Sequence, residues 1–345
     1  MVKKVDRITD WRVDMAKKWK NPVNLLPCKP VNYFTMKFGK LPVSELDRVD
    51  FTLPSEPAGN KKILGGVKKP TVNIRIGCPQ WGVPGWLGKI YPAKAKEKDF
   101  LSNYVQHYNC IELNATHYKI YDETAIAKWA DKASGRDFIF CPKLYQGVTH
   151  QGGLLGRQNA VREFLEGVKA FKEHLGPVFI QLSDSFGPAR KEELFAFLQS
   201  LPADVTFFLE VRHPDWFAYE AIRKEFFNTL YLLKKGAVIT DTSGRRDCAH
   251  MHLTIPKAFV RFVANSMHPT DYIRLDAWIA RIINWIEQGL EELYFFVHME
   301  DELYSPELII YLTDKLNAAC GLQLAQPHFI EPEGQAAGTQ ITFFD

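Results

Sequence analysis

Three acidic residues stand near the ends of short apolar runs, Glu112, Glu210 and Asp241, and two histidines follow such runs, His150 and His213. Two carboxylates brought from different strands can flank a glycosidic bond, or can pass a proton if burial raises the pKa of one. Carboxylates joined by imidazoles are also the donors from which metal-dependent phosphoesterases build a divalent-metal site, and Glu112, His150, Glu210 and Asp241 are the candidate ligands here. Lys143, Arg212 and Arg261 supply the cations that a phosphate or carboxylate substrate would need. Asn114, Gln181 and His298 add hydrogen-bonding groups. Trp81, Tyr118 and Trp216 fall just beyond apolar runs, where aromatic rings stack on sugars or bases, or pack loops down.

These residues need a scaffold that gathers them. From residue 73 onward, apolar runs of strand length alternate with amphipathic stretches. The runs cover residues 73–77, 110–114, 138–143, 178–183, 206–212, 237–241, 258–264 and 293–298. Between them, Val161, Phe164, Leu165, Val168 and Phe171 recur at helical spacing until Gly176-Pro177, and Leu275, Trp278, Ile279, Ile282 and Ile286 do the same later. Eight strands separated by helices predict an α/β fold, a TIM-type (β/α)8 barrel of parallel strands. An open doubly wound sheet is the alternative, but residues 77–82 (GCPQWG) do not form a G-x-G-x-x-G turn.

In a barrel the outward strand positions must be apolar to meet the helices, so polar residues between them turn inward. Ile111 and Leu113 turn Glu112 and Asn114 inward; Phe140 does so for Lys143; Ile180 and Leu182 for Gln181; Leu209 and Val211 for Glu210 and Arg212. Asp241, Arg261 and His298 are expected at the same end of the sixth, seventh and eighth strands. That end is the C-terminal face, where barrel active sites lie. The plainer alternative is that the acids and bases pair to plug the barrel.

Composition sets the outer limits. The chain has 345 residues, 46% hydrophobic and 24% charged, with a net charge of +3. That balance is ordinary globular usage and argues against strong non-specific nucleic-acid binding. Six scattered cysteines, none in a C-x-x-C pair, read as free thiols in a reducing compartment. Neither a signal-peptide core nor an apolar run long enough for a membrane helix is seen, so a cytoplasmic location without membrane contact is expected. Residues 1–70 read as an N-terminal extension, partly irregular and basic at its start, residues 71–330 as the barrel, and residues 331–345 as a tail. Met36 is a conceivable true start. The segment Cys248-Ala249-His250-Met251-His252 reads as an ordinary loop rather than a metal cluster.

The same residues carry a family resemblance. Gly77 with Trp81, the run Glu112-Leu113-Asn114-Ala115-Thr116-His117-Tyr118, Lys143, Thr149-His150, Gln181-Leu182 with Ser185-Phe186, and Glu210-Val211-Arg212-His213-Pro214-Asp215-Trp216 resemble the signature segments of the YecE-like family, domain of unknown function 72. The resemblance implies a TIM-type barrel and no particular reaction. Two segments depart from the family pattern. Arg261 is followed by Phe262-Val263-Ala264-Asn265 rather than His-Gly, and His298-Met299-Glu300-Asp301 replaces an Asn-Asn pair.

The functional expectation is a hydrolase acting on an anionic substrate, a phosphate ester or phosphodiester, with a small-molecule or nucleic-acid-like ligand and a divalent metal as candidate cofactor. Glu112, Glu210, Asp241, His150 and His213 would carry the chemistry. The alternatives are a metal-free glycosidase or isomerase using Glu112 and Glu210, and a non-catalytic sensor using the same pocket. The sequence leaves the oligomeric state open.

Overall fold

The protein is described by a computed structural model over residues 38–331. The basic start of the extension, Met36 and nearly all of the expected tail lie outside the described residues. Eight parallel strands alternate with helices: β1 (Asn73–Cys78), β2 (Cys110–Leu113), β3 (Ile139–Pro142), β4 (Val178–Gln181), β5 (Phe207–Glu210), β6 (Gly236–Asp241), β7 (Lys257–Val263) and β8 (Glu292–His298). They form one sheet in the order β3-β2-β1-β8-β7-β6-β5-β4. Its two edges meet at a seam, where Phe140 bridges to Leu175 and Lys143 to Phe179, which makes the sheet a nearly closed TIM-type (β/α)8 barrel. The seam is tight because Gly176 has no side chain: a Cβ there would lie 2.8 Å from the Cys141 sulfur and 2.9 Å from the Phe140 carbonyl oxygen.

Strand alternation sorts the core into two compartments. Ile111, Phe140, Ile180, Leu209, Ile239, Val260 and Phe295 face outward and join the apolar layer beneath the helices. Cys110, Cys141, Phe179, Phe208, Val238, Phe259, Tyr294 and Phe296 fill the interior as a separate cluster. Two residues further along six of these strands stand Glu112, Lys143, Gln181, Glu210, Arg261 and His298. The aromatic plug therefore floors a polar layer at the C-terminal ends.

The covering helices are α1 (Phe100–His107), α2 (Glu123–Ala133), α3 (Gln158–Lys169), α4 (Lys191–Ser200), α5 (Glu220–Leu232), α6 (Pro269–Gln288) and α7 (Ser305–Cys320). Helix α6 starts where sequence rules place a start: Pro269 occupies the first turn and the His268 side chain accepts from the Thr270 amide. It ends at Gly289, whose φ of 111° suits glycine.

Between β6 and β7 only a 3-10 turn, Arg246–Cys248, is found among the described residues. The place left beside α5 and α6 is taken by the extension, through the short helix Gly59–Leu64. Buried Asn60 donates to the Met251 carbonyl (2.8 Å) and accepts from the Leu253 amide (2.9 Å). Trp285 of α6 donates to Glu56 at 2.9 Å, and Lys62 sits over the Tyr231 ring of α5 at 5.2 Å. Earlier in the extension, the Gly39 carbonyl accepts from Gly244 N–H at 2.6 Å and from Thr242 Oγ1 at 2.8 Å. Residues 38–40 thus touch the strand-end loops. The Phe38 ring lies 4.1 Å from the Arg212 guanidinium carbon, and Lys40 pairs with Glu300 at 2.6 Å.

Candidate functional site

The inward polar residues form one connected network. Arg261 of β7 sits at its centre and is 3% exposed. Its Nε and Nη2 donate to the two oxygens of Glu112 at 2.8 and 2.9 Å, and its Nη1 donates to Glu210 at 2.6 Å. Glu112 also accepts from His298 Nε2 at 3.0 Å and from Asn114 Nδ2 at 2.9 Å. Glu210 accepts from Arg212 Nε at 2.8 Å and from Gln181 Nε2 at 3.1 Å. Gln181 Oε1 in turn accepts from Lys143 Nζ at 2.8 Å.

The electrostatics follow from these contacts. Burial alone would raise the Glu112 pKa, but Arg261 and His298 outweigh it and hold the carboxyl well below its usual range. Burial likewise opposes the ionisation of Glu210, yet Arg212 and Arg261 bring it down to about 2. His298 is lowered by burial despite Glu112, so it stands as a neutral imidazole donating its Nε2 proton. Lys143 moves the other way. Burial and the charge of Arg261 push it down to about 7, against the pull of Glu210 and Glu112.

Glu112, Glu210 and Lys143 are 0%, 2% and 7% exposed, whereas Asn114 and Arg212 are half-buried, so the layer is most exposed at those two residues. Lys143 stands at the seam. Lys143 is fixed there by the turn after β2: Thr116 Oγ1 donates to the Lys143 carbonyl at 2.9 Å, and His117 Nδ1 donates to the Leu144 carbonyl at 2.8 Å. His150, exposed, stacks edge-on against His117 with centroids 4.9 Å apart. Both imidazoles are kept neutral, His117 at about 3 and His150 lowered, in each case by burial first and Lys143 next. Tyr118 is exposed beside them, and Trp81 is half-buried, edge-on to Trp129 at 5.6 Å.

The structure gathers Glu112, Asn114, Lys143, Gln181, Glu210, Arg212, Arg261 and His298, and sets His150 and Tyr118 at the rim. Three expectations need correction. Asp241 faces away from the interior. It shares the parity of Ile239, and its carboxylate accepts from Arg274 Nε at 3.3 Å, from Trp278 Nε1 at 2.7 Å and from Arg246, all away from the barrel interior. Trp216 is fully buried, donates to the Phe186 carbonyl at 2.8 Å and packs on Phe226, so it holds a loop rather than offering a ring to a ligand. His213 is half-buried against Gly187, where its Nδ1 accepts from the Asp215 amide at 3.3 Å. The expected metal ligands are dispersed in consequence. No group of three or more His, Cys, Asp or Glu side chains is arranged to hold a metal ion among the described residues. His117 was missed as a site residue; its signal was its place in the turn directly after β2.

Cys248 is buried, His252 stacks on Phe227 at 3.9 Å, and His250 packs between Phe217 and Phe227, so that segment is a packed loop. Cys78, Cys110, Cys141, Cys248 and Cys320 are free thiols. No helix among the described residues is long and apolar enough to cross a membrane.

Comparison with known proteins gives a consistent picture. Residues 75–331 match the model of the family described as protein of unknown function DUF72. The UPF0759 protein YecE of Escherichia coli K12 is 27% identical over 261 residues, which is 70% of this chain and 92% of that protein. The UPF0759 protein YunF of Bacillus subtilis 168 is 31% identical over 158 residues, 42% of this chain and 52% of that protein. Two crystal structures of a DUF72 family protein (EF0366) from Enterococcus faecalis V583 superpose with TM-scores of 0.54 and 0.53, at 16% and 15% identity. They cover 75% and 74% of this chain and 100% of theirs.

Proposed function

We propose that this chain, which belongs to the DUF72 family, binds a small organic anion, bearing phosphate or carboxylate, at Lys143 and Arg212 in the mouth of the barrel. One observation carries the reading. The polar layer holds three basic groups, Lys143, Arg212 and Arg261, against two buried carboxylates, Glu112 and Glu210, with exposed Asp184 3.8 Å from Arg212. Both carboxylates are engaged by arginine. Among the described residues no carboxylate lies within ion-pairing distance of Lys143 Nζ, although the side chain is 93% removed from solvent. A buried cation without a counterion is costly, and an anionic ligand would relieve that cost.

The hydrolytic version, with Glu112 and Glu210 as acid, base or metal ligands, has less support. Every oxygen of the two carboxylates already accepts a charge-assisted hydrogen bond. Their pKa values lie below the range a general acid needs near neutrality. Turnover of a phosphate ester would thus rely on His150 and Lys143 rather than on the acids. A cytoplasmic setting belongs to the same proposal, supported by the five free thiols among the described residues.

The test is thermal unfolding with inorganic phosphate against chloride at matched ionic strength. Phosphate at tens of times its Kd should add about 2 kcal/mol to stability, and Lys143→Met should abolish that gain. A phosphate effect no larger than that of chloride, or one equal in Lys143→Met, would overturn the reading.

A further inference from the structure

Resting on the anion site just proposed, we infer that Lys143 is also a nucleophile, and that the ligand is an aldehyde or ketone carrying an anionic group, which Lys143 captures as an imine. The geometry sets this lysine apart from those that serve as fixed charges. Lys257, at the opposite end of the barrel, faces Glu292 at 3.0 Å. Among the described residues, the one hydrogen bond of Lys143 Nζ is to the neutral Gln181 oxygen, and the Nζ lies above the Phe179 ring at 5.8 Å. It lies just past the end of β3, on the seam, in the same polar layer as half-buried Arg212.

The charged and titratable groups around it are Arg261 from β7, Glu210 and Arg212 from the β5 end, Glu112 from β2, and the imidazoles of His117 and His150. Arg261 and burial disfavour the ammonium more than the two paired carboxylates favour it, which brings the group to about 7. Near neutrality it therefore holds roughly a thousandfold more free amine than an ordinary lysine. Desolvated lysines beside another cation are the ones that form Schiff bases.

The step balances without an oxidant or a metal. The amine lone pair attacks the carbonyl carbon, the C=O π electrons move to oxygen, and that oxygen takes a proton, giving a carbinolamine. Nitrogen then loses a proton and the C–OH bond breaks with a second proton delivered to oxygen, releasing water and leaving C=N. His150, neutral and at the rim, is placed to carry these protons. Arg212 holds the anionic group of the same molecule.

The experiment uses the full chain with pyruvate and, separately, dihydroxyacetone phosphate, each with sodium borohydride, followed by peptide mass mapping. The expected result is a borohydride-dependent adduct on the Lys143 peptide, at least about tenfold above any exposed lysine. Lys235 is an internal control. It is also buried, but at the start of β6 on the far side of the plug, with its Nζ 3.5 Å from the Pro202 carbonyl, and it should stay unlabelled. Lys143→Arg, which has no primary amine to condense with a carbonyl, should lose the adduct. Phosphate stabilisation of the wild type with no adduct, or with adducts spread evenly over surface lysines, overturns the imine and leaves the anion site standing. Absence of both overturns the two proposals together.

Discussion

Replacing Arg261 with methionine tests the organisation of the whole polar layer. The side chain is 3% exposed and donates hydrogen bonds of 2.8 and 2.9 Å to Glu112 and of 2.6 Å to Glu210. Removing one member of a buried ion pair costs about 3–5 kcal/mol, because the partner charge is left in a poor solvent. Two carboxylates are stranded here, but each keeps some support: Glu210 retains Arg212, and Glu112 retains His298 and Asn114. A loss within that same span, about 3–5 kcal/mol near pH 7.5, is therefore expected. The loss must also depend on pH. In the intact protein both carboxyls ionise below their unfolded values, Glu210 at about 2. Their stabilisation is complete above the unfolded value near 4.5 and fades as pH falls toward 2. Without Arg261, the burial that already pushes both pKa values upward meets less opposition, so the variant gains stability relative to wild type as pH falls. Urea unfolding followed by tryptophan fluorescence at about pH 7.5 and about pH 5 reads both effects. Adding Glu112→Gln to the variant should recover part of the deficit. A loss under about 1 kcal/mol, or an equal loss at both pH values, would refute the picture of a shared, buried guanidinium.

Asp241→Asn should cost about 3–5 kcal/mol in urea unfolding, since fully buried Arg274 is left with Asp271 alone at 3.4 Å and Arg246 loses the same carboxylate; the phosphate response should be unchanged, because Asp241 faces the helices. Asn60→Ala should cost about 1–3 kcal/mol by removing the two buried hydrogen bonds that tie the extension to the β6–β7 loop; an unchanged urea midpoint would show that the extension is not part of the cooperative fold. Glu302 is buried, and burial pushes its carboxyl up to about 8 although Ser305 and the Met299 amide hold it back. Its raised folded value means that its contribution is fully present below about 4.5 and is lost as pH rises toward 8. Glu302→Gln should therefore gain on wild type steadily across that window, and parallel stability curves for the two proteins would contradict this.

Legibility in the sequence ended where chain-distant pairing began. The period of two is a local signal, so the facing of Glu112, Lys143, Gln181, Glu210, Arg261 and His298 could be read from their apolar neighbours. Asp241 obeyed the same rule and was misplaced only because its charge was weighed above its parity with Ile239. Its true partners sit on α6 and in the loop before β7, which no local pattern joins to β6. The helix missing between β6 and β7 was foreshadowed by an unperiodic stretch around Cys248–His252. The Gly59–Leu64 helix that takes its place gave no apolar rhythm to read, because Asn60 and Glu56 fasten it through polar contacts.

The pairing across the barrel decides the chemistry. Glu112 and Arg261 lie 149 positions apart, and the pairing of β1 with β8 brings β2 within reach of β7 across the barrel interior. A list of inward acids and bases invites the acids to be the reactive groups, since paired carboxylates are the commoner catalytic device. Once each carboxylate is seen to be engaged by arginine, the basic group of the layer left without a counterion among the described residues is Lys143, at the seam. On the proposed reading, the residue that reacts is the one the fold leaves without a paired carboxylate.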